Sequence, residues 1–149
     1  MARKILFFTC AVMILVGLTG CGKPVVSSTS PADGVMGVST TCGQGVDFTT
    51  NTISVTFDVG VSLESGSSAT ISPALVQVDT GTATALIPTI LEIALLENGN
   101  GQIFLWYNDV FKLESATKYT ITVEQIWNKN RFMGAGNYNE PCVFSFTTQ

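Results

Sequence analysis

The chemically capable side chains of this 149-residue chain are four cysteines, two tryptophans and eleven carboxylates, and it has no histidine. Lacking histidine removes the commonest general base and the commonest metal ligand together. The carboxylates, among them Asp33, Asp58, Glu64, Glu114 and Glu140, are scattered at positions that read as turns and strand exits. There a solvated charge is the ordinary role, and no spacing marks a catalytic acid pair. Calcium favours oxygen ligands from loops, and Asp33 and Asp58 are of that type. No tight Asp and Asn spacing specifies a metal site, and nothing calls for a cofactor. The reading is therefore of a protein that is not an enzyme.

Two further groups could do chemistry. Trp127, Lys129, Arg131 and Phe132 combine aromatic faces with a close pair of cations. Such a loop can stack on sugars and pair with carboxylates, or its aromatics can plug the end of a core. The other group is the cysteines: Cys10, Cys21, Cys42 and Cys142.

Cys10 and Cys21 belong to the chain's first segment. Arg3 and Lys4 precede an almost unbroken apolar run from Ile5 to Leu18, the shape of a secretory signal. The run is shorter than the roughly 20 residues that cross a bilayer comfortably. Small residues follow it, and Leu18, Thr19, Gly20 and Cys21 resemble a lipobox, the site at which bacterial lipoproteins are acylated on a cysteine thiol and cleaved just before it. The resemblance implies residues 1–20 as signal peptide and Cys21 as the lipidated residue. It also implies an anchor of two or three acyl chains, since each buried methylene contributes about 0.8 kcal/mol. Gly22 in place of a retaining aspartate favours the outer membrane in a Gram-negative cell.

Cleavage would remove Arg3 and Lys4, leaving five cations against eleven acidic residues and a net charge of −6. That balance argues against nucleic acid and against a polybasic hold on anionic lipid. After Cys21, the small, polar, proline-flanked stretch to Ala32 reads as a flexible tether, so 21–32 is the lipidated N-terminus and 33–149 the folded domain.

Within 33–149 short period-two runs are separated by Gly, Ser, Asn and Asp, which predicts an all-β sandwich of antiparallel strands. Ile53, Val55 and Phe57 alternate with Ser54 and Thr56. Tyr119, Ile121 and Val123 alternate with Thr120 and Thr122, and Phe144 and Phe146 with Ser145 and Thr147. Each run places an apolar face inward and a hydroxyl face outward. Residues 90–108 read as a hairpin turning at Asn98–Gly101. A short helix through Ile90, Leu91, Ala94 and Leu95, between Pro88 and Asn98, is the alternative. Cys42 and Cys142 then remain as two thiols in an oxidising compartment, and an inward parity shared with Phe144 leads us to expect one disulfide between them.

With the strands placed, the chain resembles the SbsA-type bacterial Ig-like domains of envelope proteins. The resemblance rests on Ser30-Pro31-Ala32-Asp33-Gly34, on Asn51 to Phe57, on Leu113 to Val123 and on Phe144 to Thr148. The segments 41–50 and 127–139 depart from the pattern. The resemblance implies a lipid-anchored module whose partners are an envelope protein or a surface polysaccharide. A small carbohydrate-binding module built on the Trp127 loop is the competing expectation. The sandwich also implies that Tyr119 buries its ring and hydrogen-bonds a backbone group across a corner.

Overall fold

The computed structural model describes residues 22–44, 51–77, 83–84, 89–95, 98–107, 110–130 and 137–149. The expected signal segment and Cys21 therefore lie outside the described residues. Within them the chain is all β, with no helix. In chain order the strands are β1 (Val26–Ser30), β2 (Val35–Val38), β3 (Ile53–Phe57), β4 (Val61–Ser62), β5 (Ser68–Ser72), β6 (Leu75–Gln77) and β7 (Ala83–Thr84). They continue with β8 (Thr89–Leu95), β9 (Gly101–Trp106), β10 (Phe111–Lys112), β11 (Lys118–Glu124), β12 (Trp127–Asn128) and β13 (Cys142–Thr148).

Two four-stranded sheets carry the fold, one ordered β1-β3-β9-β8 and the other β2-β13-β11-β5. A three-stranded sheet β10-β6-β7 and a ribbon β12-β4 complete it. The pairings are antiparallel except that of β13 with β2, which is parallel. The alternating residues meet as expected. Ile53, Val55 and Phe57 with Ile103 and Leu105 come from one sheet. Tyr119, Ile121, Val123, Phe144 and Phe146 with Ala69 and Ile71 come from the other, and together they form one buried cluster. Leu75, Leu113 and Ile126 close it at its margins.

Thr89–Leu95 and Gly101–Trp106 pair as the two strands of the hairpin and not as the helix, with Leu95 opposite Gly101 and Thr89 opposite Trp106. A bulge between Ile90 and Glu92 shifts the register once. The β-forming run Ile103–Trp106 decides the matter, because it needs partners on both sides and finds them in β3 and β8.

Two details differ from the sequence reading. Ser54, expected to face solvent, is buried. Phe104 lies directly opposite it on β9, and the Gln102 amide donates to its hydroxyl at 3.2 Å. More consequentially, the stretch expected to be a flexible tether is not one. Val26–Ser30 is the edge strand β1, paired with β3 from Val26–Phe57 to Ser30–Ser54. Its serines are exposed because an edge strand of this sheet buries little. Ser27 and Ser30 hydroxyls donate to the Thr56 and Thr52 carbonyls across the pair. Among the described residues, the contacts of the folded domain thus reach back past Asp33 to Gly22. After β1 the chain crosses through Pro31–Gly34 to the second sheet, where β2 runs beside β13. The N-terminal segment is stitched to both layers.

Candidate functional site

The strand registers define two ends of the sandwich. At one lie the start of β1, the end of β3, the 98–101 turn and the end of β11. At the other lie Ser30, the start of β3, Trp106 and the Val38–Gln149 contact. We call them the near and far ends.

Of the residues singled out from the sequence, Trp127, Lys129 and Cys142 lie at the near end. β12 pairs with β4, Trp127 opposite Ser62 and Asn128 opposite Val61, which brings the aromatic loop beside the residues that follow β3. Trp127 is half-buried and meets Tyr138 edge-on at 5.2 Å between ring centroids, and the two residues form a backbone bridge. Lys129 is exposed on this loop, its backbone N–H donating to the Gly60 carbonyl at 2.9 Å. Arg131 and Phe132 lie outside the described residues.

Two asparagines hold this end together, and neither was marked by the sequence reading. Asn139 is buried: its Oδ1 accepts from the Ile126 N–H at 2.7 Å, and its Nδ2 donates to the Glu140 carbonyl at 2.7 Å. A buried amide that satisfies the backbone of a chain reversal replaces what a regular ladder would have supplied. Asn128, fully buried, accepts from the Asn130 N–H at 2.8 Å through Oδ1 and donates through Nδ2 to the Gly22 carbonyl at 2.8 Å. The only sequence signal is their density, four asparagines between 128 and 139.

Gly22 is therefore fixed to the body of the domain, and the next residues are too. Lys23 pairs with Glu140, and the Val25 N–H donates to the Asp58 carboxylate at 2.9 Å. The pairing holds the Lys23 ammonium above its ordinary pKa and the Glu140 carboxyl below its own. Both side chains are exposed, so the pair contributes little stability. Beside it runs a groove of about 450 Å³ lined by Pro24, Val25, Pro141, Cys142 and Val143. Val25 and Val143 are each 59% exposed on it.

The turn carboxylates considered for calcium are engaged separately with backbone: Asp58 with Val25, and Asp33 with the Ser145 N–H at 2.8 Å. Among the described residues no group of three or more Cys, Asp or Glu gathers at one point.

The expected disulfide is corrected by the structure. Cys42 and Cys142 are free thiols. Parity placed Cys142 on the inward side correctly, but parity says nothing about position along a strand. Cys142 opens β13 at the near end. Cys42 lies in the turn after Val38, whose carbonyl accepts from the Gln149 N–H at 3.0 Å at the far end. The six residues of β13 between them span about 20 Å, against the roughly 7 Å between Cα atoms that a disulfide tolerates. Cys42 is instead buried, its thiol donating to the Thr52 carbonyl at 3.6 Å and its own carbonyl accepting from the Tyr107 hydroxyl. Burial pushes its pKa up to about 12, which makes it a packing residue rather than a nucleophile.

The corner formed by Tyr119 agrees with the sequence reading. Its ring is fully buried and its hydroxyl accepts from the Glu114 N–H at 2.8 Å.

What this geometry defines is an all-β sandwich whose N-terminal segment is pinned from Gly22 onward to an end carrying an aromatic pair and an open apolar groove. Comparison with protein-family models, curated proteins and solved structures finds no match.

Proposed function

We propose that the chain is a lipid-anchored bacterial envelope protein: an Ig-like, non-enzymatic module held to a membrane through acyl chains on Cys21. It would present its surface to an envelope protein or a surface polysaccharide. The observation that carries this reading is the run Leu18-Thr19-Gly20-Cys21 at the end of an apolar segment, followed at once by a water-facing β domain. Among the described residues no helix is long and apolar enough to cross a membrane. Attachment by two or three acyl chains needs none. Gly22 after the acylated residue favours the outer membrane.

Labelling cells with a palmitate analogue and fractionating them tests the anchor. The wild type should carry label and sediment with membranes, and Cys21→Ser should lose both label and normal processing. A Cys21→Ser product that is still cut normally and kept in the membrane fraction overturns the reading. The competing reading, a small carbohydrate-binding module, draws on the Trp127–Tyr138 pair, since Tyr138 remains 37% exposed. A glycan array probed with wild type and Trp127→Ala separates the two. Binding that disappears in the variant favours the sugar module, and absent or unchanged binding defeats it.

A further inference from the structure

We infer that the sandwich sits directly on the lipid surface with its near end down, the Trp127 loop and the groove beside Val25 and Val143 facing the bilayer, instead of swinging on a linker. This rests on the anchor proposed above and goes beyond it by fixing which face the membrane meets. The argument is one of chain length. Consecutive Cα atoms are about 3.8 Å apart, so the acylated residue is one peptide unit from Gly22. The Gly22 carbonyl is held by buried Asn128 at 2.8 Å, Lys23 by Glu140, and the Val25 N–H by Asp58 at 2.9 Å. No free segment remains between lipid and fold. Whatever surrounds Gly22 must therefore lie at the headgroups.

The residues found there suit that position. Val25 and Val143 are each 59% exposed and Tyr138 is 37% exposed, with half-buried Trp127 against it. Aromatic residues with one apolar and one wet side favour the membrane–water boundary. Among the described residues this end carries acidic groups as well as cations: Glu140 pairs with Lys23, and Glu124 closes β11 at the same end. Tethering, and not charge, is what holds this face to lipid.

The two tryptophans serve as a built-in ruler. Trp127 is at the near end. Trp106 is five residues along β9 from Gly101, about 17 Å toward the far end. Mature lipidated protein, its acylation verified by mass, is placed in vesicles of phosphatidylethanolamine and phosphatidylglycerol containing brominated lipid. Trp106→Phe, which leaves Trp127, should be quenched several-fold more than Trp127→Phe, which leaves Trp106. Bromines near the headgroups should act most strongly. In the wild type, which needs no substitution, a water-soluble amine reagent should modify Lys129 several-fold more slowly than the far-end lysines Lys112 and Lys118. Inserting six Gly and Ser residues after Gly22 should abolish both contrasts. Equal quenching and equal lysine labelling in protein verified as lipidated overturn the seating and leave the anchor standing. Unlipidated product overturns the anchor and the seating with it.

Discussion

Cys42 and Tyr107 share one corner of the core, and both titrate against their burial. Burial raises the Cys42 thiol from its ordinary 9.0 to about 12, and burial with the neighbouring thiol raises the Tyr107 hydroxyl as well. In the unfolded chain each group gives up its proton earlier than in the fold. Their contribution to stability is therefore complete below about pH 9 and is lost as pH climbs toward the folded values. Urea unfolding across pH 8 to 12 should show the unfolding free energy falling by up to about 1.4 kcal/mol per pH unit for each group. Cys42→Ala should remove the thiol's share and flatten the curve. A second residue-scale test concerns Tyr119. Phenylalanine keeps the buried ring but leaves the Glu114 N–H without its 2.8 Å partner, so Tyr119→Phe should cost about 1 kcal/mol, measured the same way. Tyr119 was legible in the sequence because a tyrosine opening an alternating strand has one economical place to put its hydroxyl. Asn128 and Asn139 were not, because an amide's partners depend on the path of a loop that no periodicity describes.

Among the elements, the hairpin and the three alternating strands were legible for the same reason: each has a buried face that repeats every second residue. β1 had no such signal. Ser27, Ser28, Thr29 and Ser30 on a sheet edge need backbone partners more than buried side chains, and a serine-rich strand of that kind has the composition of a linker. The disulfide failed at this scale too, since two inward-facing side chains can still belong to opposite ends. Gly101 shows how tightly the elements meet. A Cβ there would stand 2.7 Å from the Val61 backbone N and 2.9 Å from the Val59 carbonyl oxygen, atoms that cannot rotate away. Gly101→Ala should destabilise by about 1–3 kcal/mol in thermal or urea unfolding. Asn139→Ala should cost a similar amount, about 1–3 kcal/mol, because the Ile126 N–H is left buried without an acceptor.

For the molecule as a whole, the segment 22–38 decides where the domain begins. A soluble chain starting at Asp33, the boundary that composition suggests, would lack β1 and uncover the edge of β3. Relative to one starting at Gly22 it should lose a few kcal/mol, roughly 10–20 °C in melting temperature by calorimetry. Equal melting temperatures would restore the linker reading. The sheet switch at Pro31–Gly34 has a mechanical consequence as well. Under the proposed acylation of Cys21, traction from the anchor along the axis of β1 would meet rungs to β3 that lie across that axis. Such a load would be shared by all the rungs in shear, so the strand that carries least of the core would be the one that keeps the fold from being pulled open.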